Sequence, residues 1–133
     1  MFTNLTPHAI SIQLDSGKII TVPPSGKVAR VSYHANAPII ATVDVDGEVV
    51  AIYGNWSGAP RFEIPPFEGI GIVSRMLLDA VQLALDFALR DDPVPALVAP
   101  DTGPTAVRNE QGQVVAVRNL IGLMPDSGEA LYG

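Results

Sequence analysis

The sequence predicts an α+β fold in which mainly antiparallel β-strands and hairpins surround one central, mostly buried α-helix. Three observations predict it: short alternating segments fill residues 1–53, one long apolar segment fills 70–90, and a second hairpin pattern lies within 91–121. A chain of 133 residues is expected to form a single domain, 1–133, that buries roughly two-thirds of its unfolded surface.

The N-terminal 53 residues are predicted to form a series of short antiparallel strands. Apolar and polar side chains alternate along these segments, which is the pattern of a half-buried strand. The predicted strands span residues 9–14, 18–22, 27–33, 40–45 and 48–53. Asp15-Ser16-Gly17 and Asp46-Gly47 lie between consecutive strands, and Asp-Gly is typical of a tight hairpin turn.

Residues 54–69 interrupt this pattern and are predicted to form a long loop. The segment contains three prolines, three glycines and three aromatic residues, Trp56, Phe62 and Phe67, without a sustained period. A loop of this length inside a compact domain is uncommon and often functional. Its aromatic side chains either form a binding surface or cover the core, and the covering role is favoured slightly.

Residues 70–90 are predicted to form a short buried strand followed by the central helix, with Ser74 as the N-cap. The polar residues of the helix are spaced three or four apart and form one narrow stripe. They are Arg75, Asp79, Gln82, Asp86 and Arg90. Because the remaining positions are apolar, we expect a wrapping sheet or a second chain to cover most of the helix surface.

The rest of the chain is predicted to contain a short strand at 96–99, a hairpin within 91–121 and a weakly patterned tail at 122–133. The hairpin strands are 106–108 and 113–117, which flank the turn 109–112.

Composition excludes several classes of function. The net charge of −6 argues against a nucleic-acid polymer as partner, because phosphate neutralisation needs a basic surface. The absence of cysteine excludes disulfides, zinc-thiolate sites and cysteine nucleophiles. His8 and His34 lie on separate segments without companion ligands, so neither a metal nor a cofactor is predicted. The N-terminus has no basic region and no apolar run, so a secretory signal is not expected. The predicted helix carries a stripe of charges and is shorter than the roughly 20 residues needed to span a bilayer, so no membrane association is expected.

The triplet Asp101-Thr102-Gly103 matches the catalytic triplet of aspartic proteases. Those enzymes need two Asp carboxylates that share a proton across a symmetry axis. Pro100 and Pro104 flank the triplet here and interrupt strand pairing on both sides. We therefore predict a turn in which the Asp101 carboxylate accepts the amide of Thr102 or Gly103.

The same loop suggests an anion site. Its amides and hydroxyls are suited to line an anion pocket that Arg108 closes with two parallel hydrogen bonds, and Arg30 is a candidate second clamp. Aromatic side chains of residues 54–69 are candidates for stacking on a base. The candidate ligand-binding residues are Arg108, Thr102, Gly103, Thr105, Arg30, Trp56 and Phe62. The alternative is that Arg108 pairs with Glu110 or Asp101 at the surface and binds nothing.

Several blocks of the sequence carry a resemblance to a known group of proteins. They include Asn4–Ile10, Pro23–Arg30 and Ala99–Arg108, and the similarity covers most of the chain outside residues 33–69. In these blocks the chain resembles a group of small uncharacterised proteins encoded by bacteriophages, prophages and bacteria. The resemblance implies a phage or mobile-element origin and a cytoplasmic location in a bacterial host.

Three hypotheses about function remain open at this point. The preferred one is a non-enzymatic, phage-type homo-oligomer that sequesters an anionic, nucleotide-like small molecule, such as a host-defence signal, between its chains. The alternative is a protein-interaction or minor structural module without a small ligand. The third is a hydrolase that resembles aspartic proteases and uses Asp101.

Overall fold

The computed structural model describes residues 1–32, 39–54, 61–86 and 96–124. Within these ranges strands dominate and a single helix is formed, which is compatible with the predicted α+β class. The strands are β1 (Phe2–Asn4), β2 (Ile10–Gln13), β3 (Ile19–Val22), β4 (Arg30–Ser32), β5 (Ile39–Val45), β6 (Glu48–Tyr53), β7 (Arg61–Glu63), β8 (Ile70–Ile72), β9 (Leu97–Pro100), β10 (Val107–Arg108), β11 (Val114–Ala116) and β12 (Leu120–Gly122), and the helix is α1 (Arg75–Asp86).

The largest sheet has four strands in the order β1-β8-β9-β12, and it is mixed. β1 and β9 both pair parallel to β8, while β12 pairs antiparallel to β9. The segment β8-α1-β9 is therefore a strand-helix-strand unit whose two strands are neighbours in the sheet. The other strand pairings of the described residues are antiparallel, in agreement with the prediction of mainly antiparallel strands. The two parallel pairings of β8 in the central sheet were not predicted.

One face of α1 packs against the core, and the opposite face is exposed. The buried positions follow helical spacing and are Leu77, Leu78, Ala80, Val81 and Ala84. Leu77, Leu78 and Val81 belong to one cluster with strand and loop residues such as Leu5, Leu97 and Leu123. Each fully buried Leu contributes roughly 1.5–3 kcal/mol. Met76 and Leu83 are exposed at 57% and 42%. The prediction of a central helix buried on most of its circumference is therefore not confirmed.

The N-cap prediction for α1 is confirmed. The hydroxyl of Ser74 accepts the amide of Leu77 at 3.2 Å, and the Ser74 carbonyl accepts the amide of Leu78 at 3.0 Å. Arg75 pairs with Asp79 across one turn at 3.0 Å, with both side chains exposed. An exposed pair of this kind contributes a few tenths of a kcal/mol. The predicted helix residues 87–90 lie outside the described ranges.

The smaller sheets are all two-stranded and antiparallel: β2-β3, β4-β7, β5-β6 and β10-β11. The hairpin predicted at Asp46-Gly47 is confirmed, with φ values of 53° and 83° at the two residues, as a type I′ turn requires. β5 and β6 are inserted in sequence between β4 and β7, which pair with each other. The segments 33–38 and 55–60, which join the hairpin to that pair in sequence, lie outside the described residues.

The sequence did not predict three of the strands, β1, β7 and β12. β7 lies inside the segment that was predicted to be a long loop, and β12 lies where patterning is weak. Phe62 and Phe67 of the former loop pack against the hydrophobic core. Residues 55–60, which include Trp56, and the tail from residue 125 onward lie outside the described ranges.

No helix in the described part of the chain is long and apolar enough to cross a membrane. The same residues contain no cluster of three or more His, Asp or Glu side chains that is suited to hold a metal ion.

Candidate functional site

A cavity of about 600 Å³ lies between the β4-β7 pair, the chain that follows β1, and the N-terminus of α1. Arg30, Ser32, Arg61 and Glu63 line it from the strands, and Ser74 lines it from the start of the helix. The other lining residues are Leu5, Thr6, Pro7, Val28, Ala29 and Val31. The volume is within the range of about 300–1,000 Å³ that is usual for small-molecule sites.

The β4-β7 register explains why charged side chains collect on one side of this cavity. Val31 lies directly opposite Phe62, and both pack against the core. Successive side chains on a strand point to opposite faces, so the flanking residues share the other face. There Arg30 lies opposite Glu63, and Ser32 lies opposite Arg61. All four of these residues are exposed, and the face carries two cations and one carboxylate.

The helix start adds positive potential to the same cavity. The hydroxyl of Ser74 is used by the Leu77 amide, whereas the amides of Arg75 and Met76 belong to the first turn and have no carbonyl partner within the helix. The helix dipole corresponds to roughly half a positive charge at this end. Two guanidinium groups, a helix N-terminus and one opposing carboxylate therefore give the cavity a net positive character.

The cavity wall formed by Thr6 and Pro7 is fixed by the buried side chain of Asn4, which is 1% exposed. Its Oδ1 accepts the amide and the hydroxyl of Thr6 at 3.0 and 2.7 Å. Its Nδ2 donates to the carbonyls of His8 and Val22 at 2.7 and 3.0 Å. A buried amide with all of these partners holds the turn after β1 in one conformation.

The loop at 100–105, which was predicted to form an anion pocket, makes hydrogen bonds to other parts of the chain. The guanidinium of Arg108 donates from Nη1 to the Gly112 carbonyl at 2.9 Å and from Nη2 to the Thr102 carbonyl at 3.0 Å. Thr105 accepts a hydrogen bond from Asn119 at 3.1 Å. Arg108 therefore bridges the loop to the β10-β11 turn, and no residue of the loop lines the cavity that contains Arg30.

The predicted turn at Asp101 is confirmed. Asp101 Oδ1 accepts the amide of Gly103 at 3.0 Å, and the Asp101 amide donates to the Asn119 carbonyl at 3.0 Å. Gly103 was also a candidate ligand-binding residue, but its amide donates to a carboxylate of the same loop. Within the described residues, Arg108 does not form the alternative ion pair with Glu110 or Asp101, and its guanidinium donates to two backbone carbonyls.

Of the predicted ligand-binding residues, Arg30 lines the cavity. The residues of the 100–105 loop and Arg108 do not line it. Phe62 is directed to the core from the strand face opposite Arg61, and Trp56 is outside the described residues. Arg61 and Ser74 were missed as candidates, although the alternation Arg61-Phe62-Glu63 is the pattern of a half-buried strand. That pattern would have placed Arg61 on the outward face of a strand. It would not have predicted that this strand pairs with β4, because the two strands are distant in sequence.

No protein-family model matches the chain. No curated protein and no solved structure shows significant similarity to it. The resemblance to small phage-encoded proteins therefore stays a prediction, and the geometry of the cavity is the ground on which a function is proposed.

Proposed function

We propose that the chain is a non-enzymatic binding protein that holds an anionic, nucleotide-like small molecule in the cavity between β4-β7 and the start of α1. The observation that carries this proposal is that Arg30 and Arg61 line the same cavity as the N-terminus of a helix. The ligand site is thus moved from the Arg108 loop to the Arg30 cavity.

The chemistry of these groups favours a phosphate. A guanidinium presents its N–H donors in a planar fork that matches two oxygens of a phosphate or carboxylate. The free amides at a helix N-terminus face the same kind of ligand, and the dipole favours negative charge there. Glu63 lies opposite Arg30 and limits the net positive charge of the cavity. A ligand with one phosphate group and an otherwise neutral structure is therefore favoured over a highly charged polyphosphate.

The size of the cavity favours a ligand larger than a simple ion. A free volume of about 600 Å³ exceeds what a single phosphate needs and accommodates a nucleoside-sized group beside it. The apolar residues Pro7 and Val28 line the same cavity and provide surface for a sugar or base. The proposal assigns no catalytic residue.

The biological setting of this proposal comes from the resemblance described above. A small phage-type protein in the cytoplasm of a bacterial host that binds a nucleotide-like anion is suited to sequester a host signal.

The binding proposal is tested by thermal-shift measurements with inorganic phosphate, mononucleotides, cyclic nucleotides and ADP-ribose. A ligand at 100 times its dissociation constant stabilises a protein by about 2.7 kcal/mol, which corresponds to several degrees in a domain of this size. The variants Arg30→Gln and Arg61→Gln should each reduce the shift and leave the unliganded melting temperature nearly unchanged. Arg118→Gln is the matched control, because Arg118 is exposed and lies outside the cavity.

Two results would contradict the proposal. One is that none of these anions raises the melting temperature of the natural chain. The other is a shift that survives both cavity substitutions, which would place the ligand elsewhere.

A second candidate function, a protein-interaction module without a small ligand, is favoured by one specific observation. All residues of β5 and β6 are exposed, and most of them are apolar. Such a hairpin is suited to contact another protein surface.

A further inference from the structure

Glu63 places a carboxylate beside both arginines of the cavity between β4-β7 and the start of α1. Arg30 lies directly opposite it on β4, and Arg61 is two residues away from it on β7. Residues that lie opposite each other, and residues two apart on one strand, share a face of the sheet. Two cations and one carboxylate therefore lie on one face at the same cavity.

These charged groups are available to a ligand. Arg30, Arg61 and Glu63 are all exposed. Within the described part of the chain, Arg30 and Glu63 do not form an ion pair with each other, and neither side chain takes part in a hydrogen bond. An exposed pair of this kind gains little free energy when it closes. A ligand therefore does not have to break a strong contact to reach either group.

A carboxylate beside an anion site selects for the part of the ligand that is not the phosphate. An ionised carboxylate only accepts hydrogen bonds, and it repels a second anion that lies close to it. It therefore favours a group with two neighbouring donors, one for each carboxylate oxygen. The 2′ and 3′ hydroxyls of a ribose are such a pair, and acidic side chains bind ribose hydroxyls in dinucleotide-binding folds.

The position of Glu63 favours the ribose over the base of a nucleotide. Arg30 and Arg61 are diagonal neighbours in the β4-β7 register, which places their backbones roughly 7–8 Å apart. Both side chains are long enough to reach one phosphate between them. A group that contacts Glu63 must then lie next to that phosphate. In a nucleoside 5′-monophosphate the ribose is attached directly to the phosphate, whereas the base is one sugar ring farther away.

We propose that the cavity selects a ribonucleoside 5′-monophosphate, whose phosphate is held by Arg30 and Arg61 and whose ribose 2′ and 3′ hydroxyls donate to the carboxylate of Glu63. This inference rests on the proposed anion-binding function and deepens it by naming the class of ligand. Glu63 is the residue that distinguishes a ribose from a sugar without these hydroxyls.

The test is isothermal titration calorimetry of the full chain with matched pairs of nucleotides. Each pair consists of a nucleoside 5′-monophosphate and its 2′,3′-dideoxy analogue, with adenine, guanine, cytosine or uracil as the base. For every base that binds, the ribose form should bind at least about 10-fold more tightly, because the analogue lacks both donors to a charged acceptor. This comparison uses the natural chain, so it does not depend on the folding of a variant.

Glu63→Gln should change two affinities in opposite directions. The preference for ribose should fall below about threefold, because the charged acceptor is lost. Inorganic phosphate should bind about two- to threefold more tightly, because a like charge beside Arg30 and Arg61 is removed. Glu48→Gln is the matched control and should leave both affinities unchanged, because Glu48 is also exposed on a strand but lies outside the cavity.

The outcomes separate this inference from the function on which it rests. Equal affinity of the natural chain for a nucleotide and its dideoxy analogue, with both lost in Arg30→Gln, would overturn the inference and retain the anion site. A ribose preference that Glu63→Gln keeps in full would also overturn it, because another group would then bind the hydroxyls. If neither phosphate nor any nucleotide binds, the proposed function itself is wrong, and the inference is wrong with it.

Discussion

Ser25 and Asn4 are joined by two hydrogen bonds to one oxygen: the amide of Ser25 donates to the Asn4 carbonyl at 3.0 Å, and its hydroxyl donates to the same carbonyl at 2.8 Å. The side chain of Asn4 makes four further hydrogen bonds to Thr6, His8 and Val22. Two blocks of the sequence that are distant from each other, 4–10 and 23–30, therefore meet at one buried residue beside the cavity.

Asn4→Ala should lower the free energy of unfolding by about 2–4 kcal/mol, because it removes a buried side chain and leaves the part-buried amide of Thr6 and carbonyls of His8 and Val22 without that partner. Ser25→Ala removes the hydroxyl that donates to the Asn4 carbonyl and accepts the Lys27 amide, and because Ser25 is exposed it should cost only about 1 kcal/mol. Chemical denaturation of both variants measures the difference. A smaller loss for Asn4→Ala than for Ser25→Ala would show that Asn4 does not organise this part of the fold.

Local patterns predicted the hairpins well, because a hairpin is encoded by its turn and its alternation. Asp46-Gly47 and Asn109 to Gly112 are examples, with positive φ at the glycines. The turn at Asp101 and the cap at Ser74 were likewise local and were predicted correctly. Each of these features depends on residues within four positions of one another.

The central sheet was not predicted, because its pairing joins segments far apart in sequence. β1 pairs with β8 at Phe2↔Ile70, and β8 pairs with β9 at Ile72↔Val98. A buried strand, a helix and a second buried strand in succession do indicate a parallel unit, so β8 and β9 carried a usable signal. β1 carried none, since three residues are too few for a period.

The candidate site was predicted in part for the same reason. Arg30 belongs to an alternating segment, and its exposure followed from that pattern. Its neighbours in the cavity, Arg61 and Ser74, come from elements 30 or more residues away in sequence. The Arg108 loop looked like an anion site because its composition is suited to one, but composition does not show that the donors are already used.

Gly69→Ala should destabilise the fold by about 2–4 kcal/mol, because a Cβ at this position would contact the carbonyl of Met1 and because its φ is +72°. Gly112→Ala is the matched control, with a φ of +78° and no atom within 4 Å of the added Cβ. Its cost should be only the conformational part, about 1–2 kcal/mol. Equal losses in the two variants, measured by thermal unfolding, would contradict the close approach of Met1 to Gly69.

Arg108→Ala should release the contact between the 100–105 loop and the β10-β11 turn. The bonds to Thr102 and Gly112 are exposed, so the loss of stability should not exceed about 1 kcal/mol. Hydrogen exchange at Gly103 and Ala106 should accelerate, whereas Arg118→Ala should leave it unchanged. Unchanged exchange in Arg108→Ala would mean that the guanidinium does not hold the loop.

Asp101→Asn should have almost no effect, within about 0.5 kcal/mol. In the natural chain, Asp101 Oδ1 accepts the amide of Gly103 at 3.0 Å. The asparagine side chain retains an oxygen that accepts the same hydrogen bond. The measurement is thermal unfolding together with a screen of peptide substrates. Cleavage by the natural chain that this substitution abolishes would revive the hydrolase hypothesis.

The helix offers a comparison between its two faces at adjacent positions. Ala84 is 7% exposed, whereas Leu83 is 42% exposed. Ala84→Glu places an unpaired carboxylate in the core and should cost several kcal/mol, enough to prevent folding. Leu83→Glu should change the free energy of unfolding by no more than about 0.5 kcal/mol.

Leu83→Glu also tests whether the outer flank of α1 is an interface between chains, because Leu83 lies on that exposed flank. The masses of the natural chain and of Leu83→Glu are compared by light scattering, and circular dichroism shows whether the variant remains folded. If Leu83→Glu converts an assembly to a folded monomer, the helix flank is the interface, as its apolar sequence predicted. If the mass in solution is the same for both chains, this flank is not an interface.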